Sequence, residues 1–208
     1  NLEYDSVILH CDQALERYPN QALLYFYNGV AYYSKKEFET AIRLLSYGRK
    51  YVGDPNLLGF FHAQLGDAHN ALEQHTQSDE AYEKALELNP SNEHVLNNYS
   101  YFLCLRNQQL LKAQEMAKKL IQKYPENATY LDTYGWVLYT MKQYEEAEIY
   151  LKKAALIDEN GTVIEHYGDV LFELGQFKEA LTQWIRAKEL GGTTDSIGLK
   201  IKNSEIHD

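Results

Sequence analysis

The chain contains few cysteines and lacks any long apolar run. Only two of its 208 residues are cysteines, Cys11 and Cys104, and they lie far apart in the sequence. They form no metal-ligand spacing, and a small disulfide framework would need more of them. Apolar runs stay well short of the roughly 18–20 residues that cross a bilayer, so no transmembrane helix is predicted.

Basic residues are also in short supply. Lys and Arg number 20 against 30 Asp and Glu, which gives a net charge of −10. Such a surface would repel nucleic-acid phosphates, so nucleic acid is not predicted as a partner. An acidic balance remains compatible with basic protein partners.

Motifs for catalysis are missing as well. The chain has no H-E-x-x-H motif, no G-x-S-x-G elbow and no glycine-rich phosphate loop. His62 and His69 are too distant to share a zinc ion unaided, and both fall on positions that face the core. Cys104 has no histidine placed by sequence to activate it. We therefore predict no catalytic residues, no metal site and no cofactor, and the chain is not expected to be an enzyme.

What the chain does have is internal repetition. Four segments end alike, with spacings near 34 residues or about twice that: "ALERYPN" (14–20), "ALELNPSN" (85–92), "LIQKYPEN" (120–127) and "AALIDEN" (154–160). Small residues recur at two positions upstream of these endings. The first set is Gly29, Gly66, Ser100, Gly135 and Gly168, and the second is Ala41, Ser78, Ala113, Ala147 and Ala180. This pattern predicts units of two short helices that cross closely at the small residues.

The repeated pattern resembles the tetratricopeptide repeat (TPR), a helix–turn–helix unit. The resemblance implies an all-α fold, a right-handed superhelix (TPR solenoid) of antiparallel helix pairs. Five units fit the pattern: 22–55, 59–90, 93–125, 128–159 and 161–192. Residues 1–20 resemble the second helix of a truncated preceding repeat, and 193–208 suit a C-terminal capping helix and tail. The apolar face on 7–15 has no partner helix before it, so we expect the chain to continue a longer array.

The last three units show a narrower resemblance. "VLNNYSYFL", "YLDTYGWVLY" and "EHYGDVLFELG" are similar to runs found together in exported TPR proteins of Gram-negative bacteria, many of them lipoproteins or envelope proteins. This similarity implies a periplasmic or outer-membrane-associated location, and it brings no defined activity with it.

In this repeat family the first helix of each unit lines an inner, concave face. A stripe at i, i+4, i+7 on each first helix is therefore expected to line a groove that binds a partner. The predicted groove residues are Tyr33, Asn70, Asn97, Tyr101, Asp132, Trp136, Tyr139, Glu165, Asp169 and Phe172. The rings offer binding area, and the carboxylates favour a basic or amphipathic segment. For Trp136 an alternative stays open, in which the indole packs sideways on the neighbouring first helix. Trp184, on a second helix, is expected in the core.

These features predict a protein–protein interaction scaffold that holds a protein or peptide segment in its groove, in an assembly of the bacterial envelope. Two alternatives remain. In one, the array is a structural rod that self-associates. In the other, it is the targeting arm of an enzyme whose catalytic domain lies outside this sequence.

Overall fold

The computed structural model describes residues 2–204, with side chains placed for 3–202, and every regular element in that range is helical. The α-helices, in chain order, are α1 (Leu2–Arg17), α2 (Ala22–Ser34), α3 (Phe38–Gly48), α4 (Pro55–Ala71), α5 (His75–Leu88), α6 (Glu93–Leu105), α7 (Leu110–Lys123), α8 (Ala128–Thr140), α9 (Tyr144–Ile157), α10 (Gly161–Glu173), α11 (Phe177–Leu190) and α12 (Ile197–Ser204). A 3₁₀ turn, Arg49–Tyr51, follows α3. Residue 1 of the predicted 1–20 segment and residues 205–208 of the predicted tail lie outside the described range.

Helix starts and turns follow local chemistry. The side chains of Asp54, Asn127 and Asn160 accept hydrogen bonds from the first backbone N–H groups of α4, α8 and α10. These are N-caps, which satisfy amides that a helix cannot pair internally. The turns inside the helix pairs use a residue with positive φ, such as Lys142 (φ 61°) between α8 and α9 and Gly175 (φ 75°) between α10 and α11.

The small residues allow the paired helices to approach closely. A Cβ placed on Gly66 would lie 2.5 Å from the ring of Tyr82, and one on Gly168 would lie 2.5 Å from the indole of Trp184. Both distances are far shorter than van der Waals contact, so larger side chains would force the helices apart. Ser78, where alanine is usual, donates its hydroxyl proton to the carbonyl of Gly66 over 2.9 Å.

The chain divides into two compact units, residues 1–98 and 99–208, with the boundary inside α6. In the first unit, Tyr25, Leu45, Phe61 and Leu65 belong to one apolar cluster. Its members come from α2, α3 and α4, so the core is built from successive helix pairs and not from one central layer.

The second unit has a chain of such clusters. One joins α8 and α9 through Tyr134, Leu138 and Leu151. Another joins α10, α11 and α12, where Trp184 and Ile197 pack together. Trp184 is 3% exposed, which confirms its prediction as a core residue. The prediction of an all-α fold made of antiparallel helix pairs is also confirmed. Among the described residues no helix is long and apolar enough to span a bilayer.

Candidate partner-binding surface

The ten predicted groove residues all lie on first helices of the repeat pairs. Three of them, Tyr33, Asn70 and Asn97, belong to the first unit, and each has a half-buried side chain. The other seven belong to the second unit: Tyr101, Asp132, Trp136, Tyr139, Glu165, Asp169 and Phe172. The second unit therefore holds most of the candidate surface.

In the first unit this face is organised by a buried carboxylate, Asp67. Its oxygens accept hydrogen bonds from the hydroxyl of Tyr82, from Nε2 of His94 at 2.6 Å and from the amide of Asn98 at 3.1 Å. The hydrogen bond to Asp67 raises the pKa of His94. Burial and the nearby charge of Asp67 raise the pKa of Tyr33. This arrangement ties α4, α5 and the start of α6 together.

Trp136 stacks on two neighbouring rings. Its ring centroid lies 4.0 Å from that of His166 on α10, with planes 20° apart. The ring of Tyr139, on its own helix, lies 4.7 Å away at 12°. The half-buried indole therefore packs against the adjacent first helix, which is the arrangement that the alternative for this residue describes.

The partner of the Trp136 stack, His166, is fixed from its other side. Its Nδ1 donates to Oδ1 of Asp132 over 2.9 Å, and both residues are buried. Burial opposes a charge on the imidazole, but the charge and hydrogen bond of Asp132 more than offset it and raise the pKa of His166. The pair thus links α8 to α10 by an ionic hydrogen bond in a region with little solvent.

Glu165 is fully buried and bonded by the C-terminal segment. The backbone N–H of Thr194 donates to Oε2 over 2.7 Å, and the Thr194 hydroxyl donates to Oε1. Lys200, on α12, places its Nζ 2.6 Å from the same oxygen. Burial disfavours the carboxylate, yet Lys200 and Thr194 outweigh it and lower the pKa of Glu165.

Asp169, one turn further along α10, shares the same lysine. Both of its oxygens lie 2.7 Å from Nζ of Lys200, and Oδ1 also accepts from the indole N–H of Trp184 over 2.9 Å. Burial raises the pKa of Asp169 in spite of the opposing charge of Lys200. The single ammonium of Lys200 on α12 is therefore shared by two carboxylates on one face of α10.

These contacts correct one expectation from the sequence. Asp132, Glu165 and Asp169 were expected to give the groove a preference for basic segments. In the structure all three carboxylates are buried and bonded within the chain: Asp132 accepts from His166, and Glu165 and Asp169 share Lys200. Helical spacing alone favours a solvent-facing position for a charged residue, whereas a charged side chain can be buried where a partner of opposite charge and further hydrogen bonds offset part of its desolvation.

Three of the predicted residues come together around one cavity of about 220 Å³. Tyr139, Asp169 and Phe172 line it, together with Glu173, Trp184 and Lys200. Tyr139 and Phe172 are half-buried, and Glu173 is the exposed carboxylate among the lining residues. The cavity can accept an apolar side chain against the rings, with a basic group near Glu173.

Sequence reasoning missed the residues that bond to the three buried carboxylates of this surface. Lys200, Thr194 and His166 were not proposed for it. For Lys200 a signal was present, because Ile197, Lys200 and Ile201 share one face of a short helix in which the apolar members must pack. No comparable spacing marks Thr194, whose bonds depend on the loop before α12.

The structure also places Cys104. Its buried Sγ lies 2.9 Å from Oγ1 of Thr140, and burial raises the pKa of the thiol to about 11. Nucleophilic chemistry needs the thiolate, which this environment disfavours.

Comparison with known proteins agrees with the geometry. A model of the tetratricopeptide repeat matches residues 61–92 and 128–160. The TPR repeat-containing protein PA4667 of Pseudomonas aeruginosa is 30% identical over 152 residues, which cover 72% of this chain and 25% of that protein. The chain thus spans about a quarter of the length of this curated relative.

Solved structures show the same fold. The APC/C hetero-tetramer Cut9–Hcn1 superposes with a TM-score of 0.83 at 16% identity, covering 99% of this chain and 40% of that one. PilW, described as a widely conserved type IV pilus biogenesis factor, gives a TM-score of 0.76 at 17% identity, covering 88% and 86%. The helix pairs, the small residues at their crossings and the matched repeats all fit the tetratricopeptide repeat. The chain is a tetratricopeptide-repeat protein.

Proposed function

We propose that the chain is a protein–protein interaction scaffold that binds a partner segment on the first-helix face of its second unit. The observation that carries the proposal is the cavity of about 220 Å³ lined by Tyr139 and Phe172. A pocket with rigid aromatic walls is where a partner's side chain gains most from leaving water. Glu173 favours a segment in which a basic residue neighbours the inserted apolar side chain.

We place this scaffold in an assembly of the bacterial cell envelope, in the periplasm or at the outer membrane. The support is the resemblance of the last three repeats to exported repeat proteins, together with the fold shared with the pilus biogenesis factor PilW. Fractionation of cells that produce the full-length protein tests this location. Recovery in the cytoplasmic fraction would contradict it.

A displayed peptide library tests the binding site. We expect selected peptides to share an apolar residue close to Lys or Arg, and Phe172→Ala to weaken their binding by about tenfold or more. Ile149→Ala is the matched control, because Ile149 is 64% exposed on α9, a second helix, and does not line the cavity. Equal loss in both variants, or binding that survives Phe172→Ala, would reject this cavity as the site.

Self-association is a second candidate, favoured by an apolar patch in the first unit. Tyr18, Leu23 and Tyr27 line one shallow depression and are 60%, 46% and 54% exposed. Light scattering after size exclusion should then show mass above the monomer, and Leu23→Ser combined with Tyr27→Ser should restore the monomer. A monomer at every concentration would exclude this candidate for the chain as it stands here.

A further inference from the structure

A second cavity, of about 150 Å³, lies in the first unit and is lined by basic and polar side chains. Arg49 follows the end of α3, His62 and His69 come from α4, and Lys84 comes from α5. We call it the basic pocket. It shares no lining residue with the cavity proposed for the partner, which belongs to the second unit.

The two permanent cations of the basic pocket are unpaired. Neither Arg49 nor Lys84 makes a salt bridge or hydrogen bond through its side chain to any described residue. Some other cations of the chain are paired, such as Lys153 with Glu126 at 2.6 Å and Arg186 with Glu159 at 2.7 Å. In a chain with a net charge of −10, two unpaired cations beside one cavity give that cavity a locally positive potential.

His62 supplies a buried polar group without a partner. The residue is 8% exposed, and its Nδ1 has no hydrogen-bond partner among the described residues. A buried polar atom left unpaired costs free energy, and such atoms are commonly satisfied by a bound molecule. Burial, then Arg49, then Lys84 lower the pKa of His62 to about 4. Burial first, and then the positive field of Arg49 and Lys84, therefore keep the imidazole neutral, and a bound anion would offset that field.

We propose that the basic pocket binds a tetrahedral oxyanion, a phosphate or sulfate group, through Arg49, Lys84 and the imidazole of His62. A guanidinium fork and an ammonium are the cations that proteins use for such groups. Ser46 and Gln77 also line the pocket and can donate to further oxygens. Because these donors come from separate elements, they suit a ligand with acceptors in several directions better than a planar carboxylate.

One lining residue opposes an anion. Glu80 lies on α5, one turn before Lys84, and is exposed. Arg49 and Lys84 supply two positive charges against the one negative charge of Glu80, so these three side chains leave a surplus of one positive charge. Glu80, Arg49 and Lys84 are all exposed, so water and salt screen the repulsion and the attraction alike, and the surplus of one positive charge remains.

The test follows the side-chain nitrogens of the seven histidines by NMR while sodium sulfate replaces sodium chloride at constant ionic strength. Sulfate keeps its charge across the working pH range, so a shift of the histidine signals cannot result from protonation of the ligand. We expect a saturable shift of the His62 signals, with a dissociation constant on the order of 1 mM. A His62 signal that stays unchanged up to high sulfate would overturn the proposal without any variant.

Matched variants then locate the site. Arg49→Gln and Lys84→Gln should each weaken sulfate binding by about tenfold. Arg43→Gln removes the same charge from α3, the helix that precedes Arg49, at a residue that does not line the pocket, and it should leave binding within about twofold. Equal weakening in Arg43→Gln would mean that only general electrostatic attraction was at work. The replaced side chains are exposed, so thermal melts should coincide with the wild type.

The source of the oxyanion is separated by two further titrations. Inorganic phosphate represents a free ion, and a phosphoserine tripeptide with its unphosphorylated form represents a partner's phosphoryl group. Stronger binding of the phosphopeptide than of phosphate assigns the pocket to a phosphorylated protein, and the reverse order assigns it to the free ion. Binding of the unphosphorylated peptide as strong as that of the phosphopeptide would overturn the oxyanion proposal.

Discussion

The ammonium of Lys200 lies 2.7 Å from both carboxylate oxygens of Asp169 and 2.6 Å from Oε1 of Glu165. One lysine of the last helix is thus the shared ion-pair partner of two buried acids of α10. Removal of one partner from a buried ion pair leaves an uncompensated charge, which is far more costly than a lost surface bridge. The attachment of α12 therefore depends on charge as well as on Ile197.

Lys200→Met tests that dependence. We expect it to lower the free energy of unfolding near pH 7 by about 2–4 kcal/mol, because Glu165 and Asp169 lose their cation. Lys202→Met, on the exposed side of the same helix, should change it by less than about 0.5 kcal/mol. Chemical denaturation of the three proteins measures both effects. Equal stability of wild type and Lys200→Met would show that the ion pairs contribute nothing net.

The pH dependence of that loss follows from the lowered pKa of Glu165. A carboxyl with a depressed folded pKa adds stability above its unfolded pKa, and this contribution disappears as the pH falls through the folded value. The wild type gains this contribution and Lys200→Met does not. The difference in free energy of unfolding between wild type and Lys200→Met should therefore become smaller as the pH falls from 7 into the range where carboxyl groups become protonated.

For the pair of His166 and Asp132 we expect the opposite pH dependence of stability. The pKa of His166 is raised in the folded chain, so its contribution is fully present below the unfolded pKa. It is lost as the pH rises through the folded value. Denaturation curves should be recorded over the pH range in which the His166 imidazole loses its proton. They should show the wild type losing stability relative to His166→Gln as the pH increases. His10→Gln, at an exposed position on α1, is the control and should run parallel to the wild type.

Two features of the fold followed directly from the sequence. The spacing of small residues predicted the helix pairs, because a repeat must bury its crossing points the same way each time. Gly66 against Tyr82 and Gly168 against Trp184 are those crossings. Trp184 was predicted in the core for the same reason, since its position on the second helix recurs.

The candidate site was less predictable. A stripe at helical spacing places residues on a face, but it does not say what covers that face. Glu165 and Asp169 lie where the repeat pattern puts them, yet they are covered by Thr194 and Lys200, more than 28 residues away in sequence. Long-range pairing of this kind depends on tertiary contacts that no local periodicity encodes.

Trp136 is the residue on which structure and binding are easiest to confuse. Because its indole stacks on both His166 and Tyr139, we expect Trp136→Ala to lower the free energy of unfolding by about 2–3 kcal/mol. Phe60→Ala is the control, since Phe60 is 50% exposed and should cost under about 1 kcal/mol. An unchanged melt for Trp136→Ala would mean that the stack does not stabilise the fold. Partner binding would then again be the favoured role of Trp136.

The turn between α8 and α9 offers a stabilising change. Lys142 has a φ of 61°, a left-handed conformation that side chains with a Cβ disfavour. Lys142→Gly should raise the free energy of unfolding by about 0.5–1 kcal/mol, after the greater freedom of glycine in the unfolded chain is subtracted.

Two companion variants make the cause identifiable. Lys142→Ala removes the same charge but keeps a Cβ, so its stability should stay near that of the wild type. Gly175→Ala introduces a Cβ at the equivalent turn, where φ is 75°, and should cost about 1 kcal/mol. If Lys142→Ala stabilises the chain as much as Lys142→Gly, charge at this turn and not backbone conformation limits its stability.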